Sequence, residues 1–424
     1  MLLARSLPTN AATYERDIRP LLAKHCNDCH SEGESGPFPL DTYQAARERA
    51  RTIAQVTTAR YMPPYKATPL SLRFHNERRL TATEIALFAA WAKQGAPQGK
   101  TIPTTTPPAT TSINFDHSWQ MIEPAQLPAA GKDIYRCFVI PTQLDQAKYI
   151  DAFRFLPGNP KIVHHALFFF DLSGAARKLD AETPNEPGYP CFGSPGFLAT
   201  SSLGGWSPGN RVLAMPANTA IRAPANADLV FQLHYRLTGK PETDQSQIEV
   251  RYSKVAPKQR LLDIALTSNQ IDIPAHATNY IVRDSFEIPV DVTLHQIIPH
   301  AHFLAKRMRA WATLPNNPRR ILLAIDDWDF NWQDIYQLKT PLKLPAGTIL
   351  EMEIRYDNSP SNIRNPNTPP QRVTWGLGTS DEMAGMHYNV TVDNEPRDFQ
   401  ELTSHLWGKM IRTLGIGGRK PSPR

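Results

Sequence analysis

From residue 113 onward the chain changes period. "KIVHHALFFFDL", "LVFQLHYRL", "SQIEVRYSK", "TILEMEIRYDN" and "RVTWGLGT" are short strand-like runs separated by Pro, Gly and Asn clusters, a spacing that predicts packed β-sheets. The 39 prolines, roughly twice the ordinary share, point the same way, because each fixes φ and removes a backbone donor. At 424 residues the chain exceeds the usual size of a single core. The expectation is two sandwich-like halves, 113–260 and 261–424, the second ending in a basic tail.

Residues 1–100 follow a different period. "TYERDIRPLLAKHC" places Tyr14, Ile18, Leu21 and Leu22 on one helical face, and "TYQAARERARTIAQV" does the same with Tyr43, Ala46, Ala50 and Ile53. "TATEIALFAAWAKQGAP" opens on a Thr81/Glu84 capping box and stops at Gly95 before Pro97. Residues 101–112, "TIPTTTPPATTS", are a Pro/Thr linker without periodicity.

Within the helical part, "HCNDCH" sets Cys26 and Cys29 three apart with His30 directly after them. That pattern suits covalent haem attachment, two thiols adding to the vinyl groups while the histidine reaches the iron. A zinc or redox pair is the alternative, but it lacks a second ligand pair nearby. Met62 is the only methionine of this part after Met1 and sits in "RYMPPYK", where Pro63 and Pro64 stiffen the loop. It is the expected second axial ligand, with His75 as its rival. Residues 1–100 thus resemble small bacterial cytochrome c domains, which implies an all-α fold carrying one covalently attached haem c.

Haem attachment to cysteines happens outside the cytoplasm, so the expected location is periplasmic or secreted. "MLLARSLPTNAA" lacks the apolar core of a leader, and a leader is expected to be missing from this numbering. In an oxidising compartment the remaining Cys137 and Cys191 suggest one disulfide; two unrelated buried thiols are the alternative. The formal net charge of +6 is interspersed apart from "GGRKPSPR", which argues against nucleic acid as a partner. No apolar run approaches the ~20 residues of a membrane span.

The strand region carries patterned histidines: His164 and His165 in "VHHAL", His234 in "FQLHYR", His300 and His302 in "PHAHF". Residues two apart in a strand share a face, so His300 and His302 can chelate one metal, and Gln232 lies on the face of His234. Adjacent histidines point apart. For His164 and His165 to bind one ion, the strand must bend or the rings must use different nitrogens. With Met383 in "TSDEM", imidazoles plus a thioether suit a metal cycling between Cu(I) and Cu(II) better than zinc or magnesium.

The order HH, Q-x-H-Y, H-x-H and S-D-E-M, together with Tyr135 and Cys137 in "DIYRC", resembles the copper type II, ascorbate-dependent monooxygenases, which include the peptidylglycine alpha-hydroxylating and dopamine beta-monooxygenases. The resemblance spans about residues 113–400. It implies two all-β jelly-roll sandwich domains, each with one copper, facing each other across a wet cleft. His164, His165 and His234 would hold an electron-storing copper. His300, His302 and Met383 would hold the copper that meets dioxygen and substrate. Cys137 would pair with Cys191.

The departures concern substrate. Where the peptide-amidating members place an arginine two residues before H-x-H, this chain has Ile298, and their tyrosine four residues after the methionine is His387 here. Without a guanidinium the bidentate grip on a carboxylate is lost. His387, Tyr135 and Gln232 remain candidates for contact with substrate or ligands. The fold class expected from all of this is a small all-α cytochrome c domain followed by two all-β jelly-roll sandwich domains. The expected activity is copper-dependent hydroxylation of a C–H bond of a small organic substrate with dioxygen, electrons arriving from an external donor through the haem. A non-enzymatic electron-transfer or copper-holding protein is the alternative.

Overall fold

The computed structural model describes residues 11–75, 77–101, 113–131, 133–191, 194–210, 212–376, 378 and 380–414. The Pro/Thr linker from residue 102 onward and the basic tail lie outside them.

Two β-sandwiches follow one another along the chain, and every strand pair within them is antiparallel. In the first, one sheet runs Tyr189–Pro190, Ile134–Pro141, Asp228–Tyr235, Val163–Asp171, Ser201–Trp206. The other runs His117–Gln120, Gln247–Tyr252, Lys148–Leu156, with Leu213–Ala214 and Ile221–Ala223 along the last of these. Their shared core holds Phe153, Phe155, Phe168, Phe170, Phe231 and Tyr235. Gln247–Tyr252 shows the alternation expected of a half-buried strand, with Ile248 and Val250 inward.

Asp228–Tyr235 is buried at every position because it is the central strand and both its faces are covered. Leu229, Phe231, Leu233 and Tyr235 enter the main core, while Val230 packs with Cys137, Ala176 and Tyr189 beneath the helix Ala175–Ala181. The Cys137–Cys191 disulfide closes that second small cluster.

The second sandwich sets Leu262–Thr267, Ala384–Val392, Val292–Ala301 and Tyr336–Leu344 against Tyr280–Glu287, Ile349–Tyr356, Ala305–Thr313 and Arg320–Ile325. Ile297, Met308, Tyr336, Ile354 and Tyr388 lie in its core.

The N-terminal hundred residues are not the expected all-α cytochrome c domain, and the expected fold class is corrected on that point. Four α-helices are present there, Arg19–His25, Tyr43–Glu48, Ala50–Thr58 and Ala82–Lys93, around Ile18, Leu22, Ala46, Ile53, Phe88 and Trp91. Between Thr58 and Thr81, however, none of the described residues is helical, and the segment attaches to the second sandwich. Ala67 bridges Ile325, Phe74 bridges Leu338, and Thr68 and Leu72 donate backbone bonds to Ala324 and Leu322. Ala67 and Phe74 belong to the sandwich core, and Tyr65 and Phe74 pack on Tyr336 with ring centroids 5.8 and 5.1 Å apart. Pro63, Pro64 and Pro69 explain the change, since prolines this close together cannot continue a helix and leave the backbone extended. The chain as a whole is mostly β; the short N-terminal helices attach to it through this segment, and a longer helix, Arg397–Leu414, follows the last strand of the second sandwich.

Candidate metal centres

His164, His165 and His234 converge. Register pairs His234 with His165 across the strands Asp228–Tyr235 and Val163–Asp171, and the next pair is Tyr235 with Val163. His164 is therefore the extra residue of a β-bulge, which bends the strand and turns two neighbouring side chains toward one point. The strand does bend, and it does so without the rings using different nitrogens. The three Nδ1 atoms lie 3.3 Å (His164 to His165), 3.1 Å (His164 to His234) and 3.1 Å (His234 to His165) apart. For a tetrahedral ion those edges correspond to metal–nitrogen distances of about 1.9–2.0 Å, close to the about 2.0–2.1 Å of imidazole on zinc. The donor set thus fits a small divalent or monovalent metal ion.

The second ring nitrogen of His234 is held by a carboxylate: Nε2 donates to Asp133 Oδ2 at 2.8 Å, which leaves the Nδ1 lone pair facing the other two rings. Tyr135, directly opposite in register, stacks on the His234 ring at 4.1 Å and 8°. Burial, then the neighbouring His234, holds the His164 ring down to about 4, so it stays neutral and available as a ligand. Carboxylates of this kind orient the ligating ring and raise its basicity. Asp133→Asn is accordingly expected to weaken metal binding at this centre by about 10–100-fold, read by competition with a chromophoric chelator, with the fold unchanged by circular dichroism.

Gln232 goes elsewhere. Its Nε2 donates to the Ser194 carbonyl at 3.0 Å and lies 3.6 Å from Cys191 Sγ, so it secures the disulfide loop and does not join the histidines.

The second set sits at the end of the strand Val292–Ala301. His300 and His302 have ring centroids 5.4 Å apart and planes at 89°. Both use Nδ1 for structure. His302 Nδ1 donates to the Asp381 carbonyl at 3.0 Å. Gln333 Nε2 donates to the Phe330 carbonyl at 3.0 Å, which fixes its amide so that Oε1 accepts from His300 Nδ1 at 2.7 Å. Each ring therefore keeps its Nε2 lone pair for a ligand, the opposite nitrogen from the first centre. His300 pairs with Gly385 and Ala301 with Ala384, the last pair of the two strands, and His302 and Met383 are the residues that adjoin this end.

Glu382 anchors this turn. It is fully buried, and its carboxyl oxygens accept from the backbone N–H groups of His302 (3.0 Å), Leu304 (2.6 Å) and Met383 (3.2 Å). Burial pushes its carboxyl up to about 8. His387 lies on the same face: a Cβ built at Gly385 would be 3.5 Å from both His300 Cβ and His387 Nε2. His387 Nδ1 pairs with Asp263 Oδ2 at 2.7 Å; burial opposes its charge, but the carboxylate outweighs burial and raises its pKa.

The two sets lie close to the boundary between the sandwiches. Burial comes first among the influences that hold His165 neutral, followed by His234, His164 and then His300 of the other sandwich. Ser207 Oγ donates to the Gln333 carbonyl at 3.4 Å across the same boundary.

In the N-terminal part, Cys26, Cys29 and His30 share one turn: the N–H groups of Cys29 and His30 both donate to the Cys26 carbonyl. His30 Nδ1 donates to the Phe38 carbonyl at 2.9 Å, leaving Nε2 for an iron. These residues fit covalent haem attachment. Met62 and His75 line one cavity of about 910 Å³ between the helices and the second sandwich; Cys26, Cys29 and His30 are not in its lining.

Asp133, Gln333, Asp381 and Glu382 carry no role in the sequence pattern, although Asp133 stands within "DIYRC" and Asp381 and Glu382 within "TSDEM". Asp133 and Gln333 acquire meaning only from tertiary contacts with His234 and His300.

No family model matches the chain, and no curated protein matches it. Among solved structures, that of infectious bursal disease virus Gx strain is 9% identical over 70% of this chain and 77% of that one, with a TM-score of 0.20. The major capsid protein P2 of bacteriophage PM2 is 8% identical over 62% of this chain and 97% of that one, with a TM-score of 0.24. Likenesses this slight carry no argument about fold or function.

Proposed function

We propose that the chain is a copper-dependent monooxygenase that hydroxylates a C–H bond of a small organic substrate, drawing electrons from an external donor through a haem held by Cys26, Cys29 and His30. The reaction balances as substrate C–H, dioxygen, two electrons and two protons giving the alcohol and water. Copper held by the two residue sets supplies two one-electron equivalents and the activation of dioxygen. The observation that carries the reading is the meeting of three Nδ1 atoms within 3.3 Å, beside a second set in which His300 and His302 are both held through Nδ1. A thioether from Met383 beside two imidazoles favours the cuprous state.

The residues around the ligands have separable tasks. Asp133 and Gln333 fix ring tautomers, and Glu382 fixes the backbone from which His302 and Met383 project. His387 and Asp263 present a hydrogen-bonded pair next to His300, where a polar group of the substrate can dock. Ile298 in place of a guanidinium makes a carboxylate-terminated peptide a poor substrate. An exported location, periplasmic or secreted, accords with the haem motif and with the Cys137–Cys191 bond.

The test begins with metal and haem analysis of the full chain, expected to give two coppers per haem. Oxygen uptake is then followed across a panel of small organic substrates. Met383→Leu is expected to abolish substrate-dependent uptake while haem reduction by an added donor proceeds unchanged. Substrate-dependent turnover that survives in Met383→Leu would end the assignment of the second set, and metal-loaded protein without uptake on any substrate would favour an electron-transfer role.

A further inference from the structure

The three parts of the molecule meet at Gly209. A Cβ built there would lie 3.3 Å from Cys29 Sγ and 3.4 Å from Arg78 Nη1, so the haem-attachment thiol and the Arg78 guanidinium border the same small space. Gly209 has φ +91°, a conformation that a side chain would strain, and a Cβ there would press on both neighbours. Arg78 Nη2 donates to Asp334 Oδ1 at 2.8 Å and Oδ2 at 3.0 Å, and the two side chains are 15% and 3% exposed. The residue before Asp334 is Gln333, whose Oε1 accepts from His300 Nδ1 at 2.7 Å. From Cys29 a sequence of neighbours therefore leads through Arg78, Asp334 and Gln333 to the imidazole of a ligand of the second centre.

A second path starts from the same place. Trp206 Nε1 donates to the Asn210 carbonyl at 2.8 Å, and Trp206 pairs with Ala166, the neighbour of His165. It ends on backbone beside the first centre and not on a ligand ring. Electrons tunnel more readily through bonds and hydrogen bonds than through gaps, and the path through Gln333 enters the imidazole itself.

We propose that Arg78, Asp334 and Gln333 form the route by which the haem site reduces the His300, His302 and Met383 centre directly, without passage through His164, His165 and His234. The proposal rests on the copper and haem reading above. In the step, a haem held by Cys26, Cys29 and His30 would pass from Fe(II) to Fe(III) and a copper held by His300, His302 and Met383 from Cu(II) to Cu(I); one electron would move, no atom would be transferred, and the external donor would re-reduce the haem.

The experiment uses the full chain loaded with haem and copper under argon. The haem is reduced by a flash-excited flavin, and its reoxidation by Cu(II) is followed in the haem absorbance band, with the haem midpoint potential measured alongside. His302→Ala, which keeps the first centre loaded, is expected to lose this reoxidation. Arg78→Met/Asp334→Leu, which replaces the ion pair with packed apolar groups, is expected to slow it by about tenfold or more, and Trp206→Phe to leave it within about twofold. Reoxidation persisting in His302→Ala, or falling in Trp206→Phe and not in the Arg78/Asp334 variant, overturns the route and leaves the monooxygenase reading standing. Protein that takes up neither haem nor copper overturns both. Should the double variant fail to fold, the His302→Ala and Trp206→Phe arms decide the matter.

Discussion

Glu382→Ala is expected to destabilise the second sandwich by about 3–9 kcal/mol, because three buried backbone donors lose their acceptor and each costs about 1–3 kcal/mol. The carboxyl is fully buried and accepts from His302, Leu304 and Met383, so no solvent stands ready to replace it. Glu382→Gln keeps one acceptor oxygen and brings a donor amide that faces N–H groups, so it should fall between alanine and the native residue. Urea unfolding at constant m measures the difference. A second effect distinguishes an anchor for ligands from a purely structural acid. Both variants should lose copper at the second centre while the first stays loaded, since His302 and Met383 project from the backbone that Glu382 holds. An alanine variant within about 1 kcal/mol of the native protein would mean that water reaches the turn and satisfies these donors.

The sequence conveyed the change of period near residue 113 because alternation and punctuation are local properties. Ile248 and Val250 point inward as such a pattern requires. It failed at residues 59–80, where local reading saw only a stiff loop near Met62. The fate of that stretch is decided by Ile325 and Leu338, some 260 residues away, whose strands accept Ala67 and Phe74. No pattern within the first hundred residues encodes that attachment, and for this reason a free-standing all-α unit was the wrong expectation.

The candidate site divides in the same way. Residue types and spacing brought out His164, His165, His234, His300 and His302, since imidazoles at strand spacing are visible in the primary structure. Their tautomers were not visible. Asp133 meets His234, and Gln333 meets His300, only through tertiary contacts over 101 and 33 residues. Gln232, placed on the face of His234 by strand alternation, is claimed by the disulfide loop, because a residue in a doubly covered strand has partners on both sides.

His165→Ala is expected to empty the first centre, lowering copper from two to one per chain, and to do so with a stability signature that depends on metal. In the native protein without metal, three imidazoles bring their Nδ1 atoms within 3.1–3.3 Å of one another, which crowds their lone pairs and N–H groups. Deleting one ring relieves that crowding and offsets much of the packing that is lost. Without copper the variant should therefore unfold within about 1 kcal/mol of the native chain. With free copper at about 100 times the dissociation constant, each intact site adds about 2.7 kcal/mol to the folded state, and the native protein should gain this over the variant. A chelator should remove the difference. If His165 served packing alone, the variant would be destabilised equally with and without copper, and its copper content would not change.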